Sequence, residues 1–213
     1  MWVAELWRYP VKSMAGELLA RAEIRDDGIA GDRVVHVRNA LGRVVTARNR
    51  PLLLGHRGTL GSDGEPLVDG RPWASPEVAA DVARAGGDSS HLVRHDGVAR
   101  FDVLPLLVAT DGAIAAFGYD RRRLRPNVVI GGVPALGERE WEGRSLRIGE
   151  VVIGIQDLRQ RCIMTTFDPD TLAQDVEVLK SIHRRFGGSL ALNCRVARAG
   201  TIAVGDAVEL TTR

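Results

Sequence analysis

A chain of 213 residues, of which 45% are hydrophobic and 26% charged, is long enough for one large or two small globular domains with a buried core. Its 29 Lys and Arg nearly balance its 27 Asp and Glu, so the formal charge of +2 excludes a general polyanion-binding surface, and we expect no nucleic-acid partner. No segment approaches the roughly 20 apolar residues of a membrane span, and two cysteines cannot staple a secreted scaffold, so we expect a cytoplasmic protein with no membrane partner.

The first third of the sequence has the patterns of short β-strands. Alternation of apolar and polar residues predicts five of them, at residues 2–7, 18–24, 33–38, 43–47 and 52–60. The first should stop at Tyr9-Pro10, because proline removes a backbone donor. The second and third should pair across the turn Asp26-Asp27-Gly28. The front third is therefore predicted to be all-β.

Three helices are predicted from capping residues and periodicity. Ser75-Pro76-Glu77 combines a cap, a proline and an acidic first turn, and the helix should end at Gly86-Gly87. Thr110-Asp111-Gly112 should begin a second helix that runs to about Phe117. Residues 171–186 keep apolar side chains at helical spacing and predict a third.

The remaining segments predict further short strands separated by glycine-rich turns, at residues 91–95, 103–109, 127–130, 150–155, 190–196, 201–204 and 207–210. Turns at this density favour a barrel or a strongly curled sheet over a doubly wound α/β fold. We therefore predict a mainly β protein with a few helices.

The most distinctive segment is Arg-Cys-Ile-Met-Thr-Thr-Phe-Asp-Pro-Asp-Thr at residues 161–171. Cys162 follows a predicted buried strand and has Arg161 beside it, a setting that favours the thiolate which soft metals bind. A lone cysteine is more often an inert core residue. Cys194, inside an apolar run, fits that ordinary interpretation better than Cys162 does.

Basic residues near predicted strand ends form a second pattern. The loop Tyr9-Pro10-Val11-Lys12-Ser13 offers an ammonium, a hydroxyl and backbone donors to a phosphate. Arg33, Arg48 and Arg125-Pro126-Asn127 add guanidinium groups close to other strand ends. Each alone is typical of a surface or turn residue. Together, at the mouth of one barrel, they would need an anion to neutralise them.

Six sequence motifs resemble one known family. Tyr-Pro-Val-Lys-Ser, Gly-Ile-Ala-Gly-Asp-Arg and Val-Thr-Ala-Arg resemble the N-terminal β-barrel half of MOSC proteins. Arg-Pro-Asn-Val-Val-Ile-Gly-Gly, the segment around Cys162 and Ile-Ala-Val-Gly-Asp-Ala-Val resemble the MOSC half. The six motifs occur in the family's order and cover nearly the whole chain. The chain is similar to the amidoxime-reducing molybdenum proteins and their bacterial counterparts. It implies a MOSC-type β-barrel (91–213) with a smaller β-barrel-like half (1–90) in one compact unit.

The resemblance also implies a molybdopterin-type molybdenum cofactor with Cys162 as the protein ligand to the metal and the catalytic residue. The residues that match the family's cofactor contacts, or add charge beside them, are Lys12, Ser13, Arg33, Arg48, Thr110, Arg125, Asn127 and Arg161. The match of Lys12 to a cofactor-phosphate residue is a simpler account than a Schiff base with pyridoxal phosphate, which we do not expect. The five histidines lack metal-ligand spacing.

The implied reaction is the reduction of a small N-hydroxylated substrate such as an amidoxime. The sequence has no iron–sulfur cysteine set, flavin fingerprint or haem motif, so a separate electron-donor protein is expected to supply the electrons. Two other hypotheses stay open at this stage. One is a protein that binds or carries the cofactor, or transfers its sulfur, without turnover. The other is a barrel that binds oligonucleotides or phosphate, which the near-neutral charge and the 5% of aromatic residues disfavour.

Overall fold

The computed structural model describes residues 1–97 and 100–212. In these ranges the α-helices are α1 (Pro76–Gly86), α2 (Asp111–Phe117) and α3 (Val176–Phe186). The strands are β1 (Trp2–Arg8), β2 (Glu17–Leu19), β3 (Arg21–Arg25), β4 (Gly28–Ile29), β5 (Val35–Arg38), β6 (Val44–Val45), β7 (Gly58–Leu60), β8 (Pro66–Val68), β9 (Arg71–Pro72), β10 (His91–Arg94), β11 (Leu106–Thr110), β12 (Val128–Gly131), β13 (Ser145–Ile148), β14 (Val151–Gln160), β15 (Ser189–Arg198), β16 (Gly200–Ala203) and β17 (Glu209–Thr211). None of the helices in the described part of the chain has the length and apolar character needed to cross a membrane.

Eight strands form the main sheet, in the order β17-β13-β14-β15-β11-β12-β1-β2. All neighbours are antiparallel except β11 and β12, which are parallel. A bridge between Trp2 and Ala207 joins β1 to the segment before β17, and the Val3 N–H donates to the carbonyl of Asp206 at 2.9 Å. The sheet therefore closes on itself, and the predicted mainly β barrel is confirmed.

Aliphatic side chains fill the barrel. Val3 and Leu6 of β1, Ile130 of β12, Ile153 of β14 and Leu192 of β15 are all buried in one core. Burial of each such side chain stabilises the fold by roughly 1.5–3 kcal/mol. The first strand of the chain is thus part of the same core as strands that come more than a hundred residues later.

A second, smaller core lies between the short sheets of the N-terminal part and helix α1. It contains Val35, Val37, Leu53, Val78 and Val82, which are fully buried. Strand β5 pairs with β6 and with β10, and a separate sheet has the order β7-β8-β9. The predicted division between residues 90 and 91 stays a prediction.

Two predicted details of the strands were wrong. Residues 18–24 do not pair with 33–38, because the chain turns away at Gly31, whose φ is 80°, and β3 instead pairs with β4 and β16. Residues 52–60 are not one strand, because Pro51 begins a 3-10 helix (Pro51–Gly55) before β7.

The predicted helix starts at residues 75 and 110 are confirmed. The Ser75 hydroxyl accepts a hydrogen bond from the Val78 N–H at 3.3 Å, and the Thr110 hydroxyl accepts from the Ala113 N–H at 3.0 Å. Helix α3 begins later than predicted, because Asp175 caps it while the Asp168 carboxylate holds the preceding residues in a turn.

Glu138 is a buried carboxyl group behind helix α2. Its Oε2 accepts a hydrogen bond from the Thr110 hydroxyl at 3.0 Å, while its Oε1 is buried without a hydrogen-bond partner in the described residues. Burial raises the pKa of Glu138 above its ordinary value. The folded protein therefore holds this proton more tightly than the unfolded chain does.

The pKa of Glu138 is higher in the folded protein than in the unfolded chain. The protonated carboxyl group therefore contributes fully to stability below the unfolded pKa, and this contribution is lost as the pH rises towards the folded pKa. We expect Glu138→Gln, which is always neutral, to raise Tm more at about pH 8 than at about pH 4. Thermal denaturation at both pH values measures this. The exposed Glu140→Gln is the control and should show no such difference. A Glu138→Gln variant that is less stable at both pH values would contradict the account.

Candidate functional site

One cavity lies where the main barrel meets the smaller N-terminal core. Seven of the nine predicted site residues line it: Lys12, Ser13, Arg33, Arg125, Asn127, Arg161 and Cys162. They come from the loop after β1, the segment after β4, the residues before β12 and the end of β14. The structure therefore brings together residues that are as much as 150 positions apart in the sequence.

Cys162 follows the end of β14 and precedes a 3-10 helix (Ile163–Thr166). The two threonines of the motif fix this turn: the Thr165 hydroxyl donates to the carbonyl of Cys162 at 2.9 Å, and the Thr166 hydroxyl donates to the carbonyl of Ile163 at 2.7 Å. The Cys162 side chain makes no capping hydrogen bond, and the residue is partly exposed. The thiol therefore lies at the cavity without a capping role in the 3-10 helix that follows.

Arg48 lies outside the cavity wall but interacts with the cysteine. Its Nη2 is 2.6 Å from Oδ2 of Asp102. Burial lowers the pKa of Arg48, but the carboxylate of Asp102 and the side chain of Cys162 raise it more, so the pKa is above its ordinary value. Arg48 is therefore a fixed cation beside the thiol, consistent with its predicted place at the site.

Arg125 is held against the ring of Tyr9, with its guanidinium carbon 4.3 Å from the ring centroid. Arg33 approaches the same ring at 5.2 Å. Burial, aided by repulsion from Arg33, lowers the pKa of Arg125 to about 10, although Tyr9 and Asp32 oppose the change. Arg125 thus carries a positive charge that the protein neutralises poorly.

Arg161 has the strongest unmet hydrogen-bonding demand at the cavity. Its Nη2 donates to the carbonyl of Leu124 at 2.8 Å. Its Nε and Nη1 are buried and have no hydrogen-bond partner within the described ranges. Burial, followed by repulsion from Arg159, lowers the pKa of Arg161 to about 10. Two buried donors on a cation that lines a cavity are the arrangement expected where an anion binds.

Asn127 and Ser13 hold the scaffold of the cavity. The Asn127 side-chain oxygen accepts from the Leu107 N–H at 3.1 Å, and its amide nitrogen donates to the carbonyl of Trp7 at 3.3 Å. The Ser13 hydroxyl accepts from the Ala47 N–H at 3.0 Å. Both residues line the cavity, and both use side-chain atoms to tie separate segments together around it.

Thr110 is not brought to the cavity with the other predicted residues. It is fully buried, its hydroxyl caps α2, and the same hydroxyl donates to Glu138. These two contacts place it in the packing behind the helix. Its predicted contact with a cofactor therefore has no support from its position.

Three further residues of the site were missed by sequence reasoning. Asp32 is fully buried and accepts hydrogen bonds from the Tyr9 N–H at 2.6 Å and from Asn127. Asp102 and Arg159 line the cavity itself. Arg159 had a usable signal, because it is a basic residue at the end of the strand that leads to Arg161 and Cys162. The segment around Asp102 has no comparable pattern.

The chain belongs to the MOSC family. The family model described as "MOSC N-terminal beta barrel domain" matches residues 1–114, and the model described as "MOSC domain" matches residues 112–209. The resemblance stated from the sequence motifs is thereby confirmed.

Curated relatives of the chain include three informative proteins. Mitochondrial amidoxime-reducing component 1 of Homo sapiens is 27% identical over 281 residues, covering 98% of this chain and 82% of that protein. Mitochondrial amidoxime reducing component 2 of Homo sapiens is 26% identical, with 97% and 82% covered. Molybdenum cofactor sulfurase of Bombyx mori is 33% identical over 90 residues, which are 42% of this chain and 11% of that protein. The family match and these relatives support a function related to the molybdenum cofactor.

Among solved structures, the YuaD protein from Bacillus subtilis matches over the full length of both chains, with a TM-score of 0.52 and 16% sequence identity. This likeness shows the fold alone. The human relatives are mitochondrial by name, and a cytoplasmic location for this chain stays a prediction.

Arg161 offers a test of the cavity that requires no ligand. We expect Arg161→Met to raise the free energy of unfolding by on the order of 1 kcal/mol, because it removes a buried charge whose donors are unsatisfied. Urea denaturation measures this. The exposed Arg147→Met, whose partner is Glu209 at the surface, should change stability by less than about 0.5 kcal/mol. A clear loss of stability in Arg161→Met would show that the protein already satisfies this guanidinium.

Proposed function

We propose that the cavity holds a pterin-type molybdenum cofactor and that the loaded protein reduces N-hydroxylated substrates such as amidoximes. The observation that carries the proposal is the convergence of Arg125 and Arg161, two poorly neutralised cations, with the thiol of Cys162 on one cavity. Guanidinium groups suit the phosphate of a pterin cofactor, and a thiolate suits a soft metal. The family and its relatives favour this ligand over other anions.

The residues present fit such a group. The buried Nε and Nη1 of Arg161 supply donors that no described residue uses. Arg125, fixed on the ring of Tyr9, supplies further donors without rearrangement. Cys162 supplies the sulfur ligand, and Arg48 lies beside it as a cation.

The bound cofactor would supply the metal that accepts oxygen from the substrate nitrogen. The overall reaction consumes two electrons and two protons and yields the reduced nitrogen compound and water. The protein's own contribution is to bind the cofactor, to fix its metal at Cys162 and to orient the substrate. We propose that a separate donor protein supplies these two electrons.

A groove beside the cavity is our candidate for the organic part of the substrate. Its walls include the rings of Trp7, Tyr9 and Phe167 and the side chain of Leu54. The groove and the cavity share the side chains of Arg123, Arg125 and Met164. The groove also has the charged side chains of Arg57, Arg122 and Asp170 in its lining. Aromatic and aliphatic side chains that lie beside a cationic cavity favour a substrate with an apolar body and a polar N-hydroxylated end.

A second candidate function is cofactor binding, carriage or sulfur transfer without reduction. The observation that favours it is the match of 90 residues to the molybdenum cofactor sulfurase of Bombyx mori. This function needs the same cavity and the same cysteine, so geometry does not separate it from the first. Turnover does.

The metal ligand is tested by comparing wild type with Cys162→Ala and Cys194→Ala, all produced in a host that makes the unmodified molybdopterin. Elemental mass spectrometry should find near-stoichiometric molybdenum in wild type and a large loss in Cys162→Ala, because the variant lacks the sulfur ligand. Cys194→Ala is the matched control and should keep its metal. Cys194 is fully buried in the barrel core, where burial raises the pKa of its thiol.

Metal-free wild-type protein under an adequate cofactor supply would contradict the proposal. The loaded wild type is then mixed with an amidoxime and a chemically reduced dye as the electron donor. Turnover that is absent in Cys162→Ala supports the reductase, whereas a loaded protein without turnover favours the carrier function.

A further inference from the structure

The carboxylate of Asp102 lies among three cations of the cavity region. Its Oδ1 is 3.0 Å from Nζ of Lys12, and its Oδ2 is 2.6 Å from Nη2 of Arg48 and 3.5 Å from Nη2 of Arg159. The three cations belong to three separate parts of the fold: the loop after β1, the segment after β6 and strand β14. One carboxylate therefore forms ion pairs with three cations.

Each of the three cations has a contact that does not involve Asp102, and for Arg48 this contact is the side chain of Cys162. The backbone N–H of Lys12 donates to the carbonyl of Val35 at 2.9 Å, and its side chain is mostly buried. Arg159 donates to the side-chain oxygen of Asn193 at 3.4 Å, and Asn193 in turn donates to Asp157 at 2.6 Å. The cations would thus stay close together if the carboxylate left.

Arg159 is also incompletely neutralised. Burial lowers the pKa of Arg159 even though Asp102 lies beside it and opposes the change. Asp102 belongs to a segment between β10 and β11 that has no helix or strand over residues 100–105, and its side chain is 28% exposed. A ligand oxyanion with two charges would interact more strongly with the same three cations than a single carboxylate does.

We propose that Lys12, Arg48 and Arg159 form an oxyanion subsite and that Asp102 is its internal occupant, displaced when a phosphate-type anion binds. This goes beyond the proposed function, because the subsite requires no metal. Displacement removes the ion pairs that hold Asp102 at the cavity, whereas Arg100 at the start of the same segment keeps its hydrogen bonds to the carbonyl of Asp32. Asp102 thereby makes the affinity of the cavity for anions lower than its cations alone would give, and it couples anion binding to the movement of one wall.

The test is a titration of wild type, Asp102→Asn and Asp27→Asn with inorganic phosphate, in which ³¹P NMR measures the binding. We expect Asp102→Asn to bind phosphate about tenfold more tightly than wild type, because the competing carboxylate is gone. Asp27→Asn is the matched control. It removes one negative charge that pairs with Arg100 of the same segment, but it leaves the three cations untouched, and its affinity should stay within about twofold of wild type.

Hydrogen exchange supplies a second measurement. Saturating phosphate should speed amide exchange in residues 102–104 of wild type, since Asp102 loses its partners, and Asp102→Asn should exchange fast without phosphate. Three outcomes would overturn the proposal: no phosphate binding to any of the proteins, equal tightening in both variants, or phosphate binding that leaves exchange in this segment unchanged or slower.

The anion in the cell could be the phosphate of the cofactor or a separate phosphate. If it belongs to the cofactor, protein loaded with molybdenum will no longer bind inorganic phosphate. If the anion is separate, the loaded protein will bind it as before. Phosphate binding that responds to Asp102→Asn in a protein that never acquires molybdenum would keep this inference and reject the proposed function, so the two failures are distinguishable.

Discussion

The arrangement around the cavity depends on one constraint, the presence of buried positive charge that the protein does not neutralise. Arg161 has two buried donors without partners in the described chain, and burial lowers the pKa values of both Arg125 and Arg161 to about 10. Such charge is costly in the absence of an opposite charge. The barrel tolerates this cost because several tightly packed strands fix the ends of the loops that carry the arginines. The buried charges therefore lower the stability of the fold and prepare the cavity to bind an anion.

A buried carboxylate organises the entrance to this region. Asp32 accepts a hydrogen bond from the backbone of Tyr9, contacts the amide of Asn127 and forms an ion pair with Arg33. Three distant parts of the sequence therefore meet at one side chain. Since Tyr9 also supports the guanidinium of Arg125, the position of a cationic group in the cavity follows from the position of Asp32. A few polar contacts of Asp32 therefore link the positions of the cationic side chains to the backbone segments that carry them.

Much of the fold could be predicted from local patterns. The caps at Ser75 and Thr110 and the alternation of β1 act within a few residues, so the sequence reveals them directly. The partner strands of β3 and β5 could not be predicted. Strand β3 pairs with residues 200–203 and β5 pairs with residues 91–94, so neither pairing depends on the turn between β3 and β5. The closure of the barrel by Trp2 and Ala207 is another contact between distant residues that no local pattern indicates.

The candidate site shows the same division. Cys162, Lys12 and the arginines were found because their motifs resemble those of a known family, and the structure places seven of the nine predicted residues on one cavity. Thr110 was predicted because it matches a cofactor contact of the same family, but its hydroxyl is used to cap α2. Asp102 was missed because its importance comes only from three cations that surround it in the folded chain.

The most direct test of the central claim is X-ray absorption at the molybdenum edge of loaded wild type and Cys162→Ser. If Cys162 is the protein ligand, wild type will show one more sulfur in the metal's coordination shell than the variant, in which oxygen replaces that sulfur. Equal numbers of sulfur ligands in the two proteins would show that the metal does not bind Cys162, and the cavity would then have to be explained as a site for an anion without a metal bound to this cysteine.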